Sequence, residues 1–331
     1  MKQFILAWSL LMLNSFVSAQ SYHFSQFFST PLLTNPAHTG FTEGPYRVAS
    51  NFRSQGNANG NTFFTGYVSA DFSVLRNHLT AGHKAGVGMF VMNEQTLGGA
   101  IQANSIGLST AYNVGLDSYG EQSLGVGVQA TYHHRRLDYS KLSFENQYGP
   151  GGYDPSLPIG EPLDFNSRQA FDVNAGVMYN AILYDKAFSA GVSVYNILGH
   201  RDNIWADEFK MPQRISIQTS AQFFLGEYGK LYSSLTSMHQ AGASELTIGG
   251  AYGYQLTEGD KNELMGGVWY RYKDAVIPYL GYQWNGFQVG VSYDHTVSGM
   301  KTATQVRNGL ELTLLYKAKD TRELKVHIPW Y

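Results

Sequence analysis

Phe171-Asp172-Val173-Asn174-Ala175-Gly176-Val177 decides how this chain folds. Apolar side chains alternate with polar ones or glycine, and in extended backbone successive side chains point to opposite faces. The stretch therefore reads as a strand with one face toward an apolar medium. The same alternation returns in Phe188-Ser189-Ala190-Gly191-Val192-Ser193-Val194, in Phe287-Gln288-Val289-Gly290-Val291-Ser292-Tyr293 and in Leu310-Glu311-Leu312-Thr313-Leu314. Working outward gives about fourteen runs: 44–55, 62–72, 82–93, 99–115, 121–137, 168–183, 186–199, 211–225, 229–240, 243–256, 262–273, 275–284, 286–296 and 306–318. Such runs are long enough to cross a bilayer at a tilt. Proline is sparse, at 10 in 331 residues, as a closed ladder of backbone hydrogen bonds requires. The expected fold is all-β: a transmembrane antiparallel β-barrel of about fourteen strands over 44–318, with a soluble β-sandwich as the alternative.

Composition agrees with that class. Charged residues are only 15% and aromatics 14%, with 36 Gly and 23 Tyr, a mixture suited to strands with one apolar and one small or polar face. Lys+Arg number 23 against 25 Asp+Glu, so no basic field exists for nucleic acid. The absence of cysteine excludes a disulfide framework, thiolate metal sites and cysteine nucleophiles. At the start, Met1-Lys2-Gln3, an apolar stretch from Phe4 to Leu13 and Val17-Ser18-Ala19 before Gln20 read as a cleaved signal peptide over 1–19. No cysteine follows it to carry a lipoprotein anchor.

The connections carry orientation. With both barrel termini in the periplasm, every second link should be short. Those links fall near Asp117–Gly120, Tyr184-Asp185, Gly226–Tyr228, Thr257–Lys261 and Asn285-Gly286, the last a type I′ hairpin signal. The opposite set holds the long segments 138–167, 200–210 and 297–305, although 73–81 is longer than a periplasmic turn needs. Aromatic strand ends such as Tyr132, Tyr179, Tyr282 and Trp284 suit the membrane interfaces of a barrel in outer-membrane lipid.

Alternation also assigns the lumen. Tyr46, Val48, Ser50 and Phe52 share one face of the first strand, so Arg47, Ala49, Asn51 and Arg53 share the other. The same rule points Asp71, Asp172, Asn174, Arg214, Gln218, Glu245, Arg271, Asp294 and Glu311 inward, because Arg or Lys facing lipid costs about 2–4 kcal/mol at the midplane. Closure sets the last strand beside the first, where Glu311 has Arg47 or Arg53 as a partner. The expected lumen is a satisfied polar network, with a conducting or ligand-selective channel as the sharper alternative. No apolar lumen stripe of the kind a hydrophobic-ligand transporter needs is legible.

Two terminal segments do not alternate. In 20–43, Pro31 and Pro36 should hold the backbone extended, and Asn35-Pro36 favours a bend. Phe24, Phe27 and Phe28 are apolar anchors outside the barrel wall, so this periplasmic or lumen-plugging segment packs into the lumen or onto a partner. Its candidate contact residues are Phe24, Gln26, Phe27, Pro31, Asn35, Pro36 and Gly40. The stretch 319–331, ending His327-Ile328-Pro329-Trp330-Tyr331, reads as a periplasmic docking tail.

Sites of chemistry are not found. His133 and His134 point to opposite faces of one strand and make a poor metal pair. Ser292 and Asp294 share a face that His295 does not, so they form no triad. Asp138, Asp154 and Asp164 lack the spacing of a calcium loop. No phosphate loop, dinucleotide fingerprint or nucleophile elbow occurs. The expectation is a protein that is not an enzyme, with no catalytic residue, metal, cofactor or small-molecule substrate.

One block is specific. Phe24-Ser25-Gln26, an aromatic pair, Pro31-Leu32, then Asn35-Pro36-Ala37-His38-Thr39-Gly40 and Tyr46-Arg47-Val48-Ala49-Ser50-Asn51-Phe52-Arg53-Ser54-Gln55 resemble the opening of the PorP/SprF family of Bacteroidetes outer-membrane proteins. Gly191–Gly199 and Val289–Asp294 extend the resemblance more weakly. It implies a Gram-negative outer-membrane location, a role in the type IX secretion system and, in some members, gliding motility. The implied partners are a secreted surface protein of the gliding-adhesin type and the periplasmic secretion machinery. A passive or solute-selective porin is the alternative function.

Overall fold

The computed structural model describes residues 24–58, 61–75, 79, 82–160, 167–183, 186–199, 210–256, 262–297 and 308–319. The expected signal peptide 1–19, nearly all of the tail 319–331, Asp164 and most of the 200–210 loop lie outside the described residues.

Fourteen strands form one closed barrel, each antiparallel to its neighbour in sequence and the last paired with the first. They are β1 (Tyr46–Ala58), β2 (Asn61–Val74), β3 (Lys84–Thr96), β4 (Ile101–Gly115), β5 (Gln122–Leu137), β6 (Ser167–Leu183) and β7 (Lys186–Tyr195). The second half comprises β8 (Arg214–Leu225), β9 (Gly229–Gln240), β10 (Ala243–Gln255), β11 (Glu263–Arg271), β12 (Ala275–Trp284), β13 (Phe287–Thr296) and β14 (Gly309–Lys317). Closure satisfies the ladder on both edges of every strand, which is what a sheet in hydrocarbon needs. No helix among the described residues is long and apolar enough to cross a membrane.

The outward face is apolar: Leu108, Phe171 and Leu280 are each more than 60% exposed, the positions lipid would cover. Because the strand count is even, the first and last strands end on one rim, here the terminal rim, where Ala318 N donates to Tyr46 O. The turns 116–121, 226–228 and 285–286 fall there, and Asn285 and Gly286 both have positive φ (49° and 88°), as a type I′ hairpin demands. The strand ends that the long segments 138–166, 196–213 and 297–308 connect lie on the opposite, loop rim. At the terminal rim the rings of Phe72, Tyr46, Tyr316, Phe287, Trp284 and Tyr282 run in contact across five strands, with successive centroids 4.5–6.0 Å apart. Such a belt marks a membrane–water interface.

Residues 24–45 lie inside this cylinder. Three single turns, Phe27–Ser29, Pro31–Thr34 and Pro36–His38, follow one another. Pro31 corrects the expected extended backbone: it opens a helical turn, because its fixed φ suits the first helical position, where no N–H is needed. Asn35 remains extended (φ −158°, ψ 127°) ahead of Pro36 and caps the next turn by accepting from Ala37 N.

Candidate functional site

Every residue from Phe24 to Thr42 except Leu33 is buried, so the lumen is occupied by the chain's own N-terminal segment. It runs from the loop-rim half, where Ser25 and Gln26 meet β13 and β14, to the terminal rim, where Gly40 meets β2.

At its first end the segment enters a charged cluster. Glu311 faces Arg53 in register, and their side chains pair at 3.0 Å. Ser25 N and Gln26 N each donate to Glu311 at 2.8 Å, and Asn51 Nδ2 donates at 2.7 Å. Asp294 bridges Arg53 (2.8 Å) and Arg271 (3.0 Å), and Ser25 Oγ donates to it at 2.7 Å. Glu245 lies 3.6 Å from Arg271 on the same wall. Arg47 belongs to a second cluster: its guanidinium forks onto Asp71 at 3.0 and 2.9 Å and donates to His38 O, while Gly40 N donates to Asp71 at 2.8 Å. Of the two partners open to Glu311, the structure places Arg53 there and turns Arg47 to Asp71. Asp172 stands apart from both clusters and accepts from Leu198 N at 3.0 Å.

The middle of the segment is held by polar and apolar contacts together. Asn35 Nδ2 donates to Val177 O (3.1 Å) and Val192 O (3.3 Å), and Gln129 Nε2 donates to Leu32 O (2.9 Å). Phe24 and Leu32 pack with Tyr67, Phe90 and Met92. Phe27 and Phe28 cover Met265, Trp269, Ile277 and Tyr279, with Phe28 5.0 Å from the Trp269 ring. This apolar stripe corrects the expectation of none. Between the inward charges Glu263 and Arg271 of β11, and along β12 from Val276 to Tyr282, apolar side chains stand on both faces, so alternation there gives little contrast from which to read a stripe.

Inward glycines make room for the segment. A Cβ at Gly86 would overlap Thr39 O, one at Gly127 the Pro36 carbonyl, and one at Gly176 the Asn35 amide. In a strand interior glycine weakens the ladder, and its use here matches a close backbone approach. Alternation counts glycine as neutral, which is why sequence reasoning missed these positions.

On the loop-rim side of the segment, two small crevices meet at Leu33 and Arg214. Arg214 stands over the Tyr195 ring at 4.2 Å, and His133 shares a 2.8 Å hydrogen bond with Ser105. The loop after β5 is tied down by Asp138 N donating to Ala100 O and Lys141 Nζ to Gly99 O. Its tip is a short hairpin, Tyr148–Gly149 with Gly152–Tyr153, whose two exposed tyrosine rings lie 5.3 Å apart. Ser140 and Ser156 each donate a hydroxyl and a backbone N–H to Asp138 and Asp154, which holds both carboxyls below the usual range.

Ser292 accepts from Gln26, Asp294 is bound by two arginines, and His295 faces outward, so the three assemble no nucleophile and base. No group of three or more metal-ligating side chains occurs among the described residues.

The family described as type IX secretion system membrane protein PorP/SprF matches residues 16–316. The chain is similar in fold to the toluene transporter TbuX of Ralstonia pickettii, at TM-score 0.52 and 12% identity over 88% of this chain and 94% of that one. It is also similar to the toluene transporter TodX of P. putida, at TM-score 0.51 and 10% identity over 92% and 97%. No curated protein matches it in sequence.

Proposed function

The chain belongs to the PorP/SprF family of type IX secretion system membrane proteins, and on that premise we propose that it is a sealed docking barrel. It is an outer-membrane β-barrel, of a family associated with secretion, not with catalysis. In the proposed reading the loop rim faces outward and holds a secreted or surface protein of the gliding-adhesin type. The terminal rim and the segments adjoining it meet the periplasmic secretion components. The protein carries out no chemistry of its own.

One observation carries the reading: the lumen is occupied from Phe24 to Thr42 by buried residues of the same chain. A filled barrel has surfaces to offer, not a passage. The surfaces at hand are the 138–160 loop with its exposed Tyr148 and Tyr153, and the crevices at Arg214. The charged seat of Ser25 and the fork of Arg47 on Asp71 fix the segment at both ends, so the lumen-facing residues hold the seal and the loop rim holds the partner.

The test is affinity capture from detergent-solubilised outer membranes with a tag beside Gly151, where nothing lies within 4 Å of an added Cβ. A large secreted protein or secretion-ring components should be recovered with the wild-type loop and lost when 142–158 is replaced by a short turn. Recovery of the barrel alone, together with steady single-channel conductance, would transfer the assignment to a porin.

A further inference from the structure

The seam between β14 and β1 is costly to close, and β14 is held by short ladders on both of its edges. It joins strands from the two ends of the chain, with Arg53 and Glu311 258 residues apart, so it carries the largest loop-closure cost. Its nine register positions, as many as in three other ladders, are far fewer than the fifteen between β5 and β6. And β14 has only eight positions on its other edge, with β13.

The N-terminal segment binds at this seam. Each carboxylate oxygen of Glu311 on β14 takes one donor from β1 and one from the segment: Oε1 from Asn51 Nδ2 and Gln26 N, Oε2 from Arg53 Nη1 and Ser25 N. Gln26 then spans the strands behind it, accepting from Thr313 Oγ1 at 2.7 Å and donating to Ser292 Oγ at 3.0 Å. Ser25 Oγ accepts from Arg53 and Arg271 and donates to Asp294, joining β1, β11 and β13. Glu311 is wholly buried, and without the segment it would keep only half of its donors. A buried carboxylate so depleted is costly.

We infer that the inner face of β1, β13 and β14 is a peptide-binding site whose occupant is the chain's own Ser25-Gln26, and that its occupancy closes the barrel. Closing and sealing are then one event, whatever the loop rim binds.

The absence of cysteine makes the test clean, since every thiol is an introduced one. Ser50 and Leu314 are directly opposed across the seam, and Val128 and Ala175 across β5 and β6. One disulfide is placed at each, as S50C/L314C or V128C/A175C, a spacing that suits directly opposed strand residues. The readout is the temperature at which the folded band is lost in unboiled electrophoresis. E311Q and the double variant S25A/Q26A should each lower it by about 5–15 °C. The seam disulfide should restore most of that loss, and the β5–β6 disulfide little of it. D71N, which removes a buried carboxylate on β2 that holds the other end of the segment and makes no contact with β13 or Glu311, should not show this preference. If either E311Q or S25A/Q26A fails to fold, the same comparison is read as recovery of the folded band. Equal rescue by both disulfides, the same preference in D71N, or no loss in S25A/Q26A would overturn the inference.

Discussion

At the scale of single residues, the strongest demands come from charges with no access to water. Arg47 and Asp71 are both fully buried and joined by two parallel hydrogen bonds. Removing one partner leaves the other uncompensated, at a cost of about 3–5 kcal/mol, whereas replacing both with apolar residues of similar size costs far less. R47M alone should therefore lower the urea midpoint of the folded barrel in lipid vesicles markedly. R47M/D71L should recover much of it, and an equal loss in single and double variants would contradict the pair's role. Charges were legible in the sequence for the same reason that they matter: Arg53, Asp294 and Glu311 have only one face on which to be tolerated. The glycines beneath the segment and the Trp269–Tyr279 stripe were not legible. Glycine has no side chain to take a side, and an aromatic residue is stable on either face of a barrel wall.

At the scale of elements, alternation located all fourteen strands and lost accuracy at their ends, where backbone geometry decides. The expected run 186–199 stops at Tyr195 because Asn196 turns to φ 58° and takes the chain out of the ladder. The run expected from 211 begins at Arg214, after Pro212, which has no N–H to donate. The loop after β5 shows how such segments keep shape without a ladder: Asp138 and Asp154 each gather a hydroxyl and an N–H from the serine two positions on. Their carboxyls are depressed in the folded loop by those donors. The stabilising contribution is therefore complete above the unfolded value, about 3.9 for Asp, and is lost as pH falls through the lower folded value. In proteoliposomes the loop should resist pepsin at about pH 4 and become cleavable as the pH is lowered further. The barrel should stay intact over the same range. S156A should move the onset of cleavage upward; an onset that S156A leaves unchanged would remove Asp154 from the account.

At the scale of the whole molecule, the question is whether the barrel passes something or holds something. A fourteen-stranded cylinder has a lumen wider than its own wall residues fill, so what occupies the remainder decides the answer. Here that occupant is covalently attached, buried along its length and tied near both rims, by Glu311 at one and Asp71 at the other. Deleting 24–40 would test sealing alone only if the cylinder survived, and without the segment the seam would not close unaided. The informative chain is therefore the deletion carrying S50C/L314C, compared with the intact barrel carrying the same disulfide. The locked deletion should give steady ion conductance in planar bilayers where the locked intact barrel gives none, and G176V, whose side chain would displace Asn35, should conduct intermittently. Equal conductance with and without the segment would mean that the lumen is a passage and the segment only a lining. Silence in both would mean that the wall and the outer loops seal the barrel by themselves, leaving the segment to the seam.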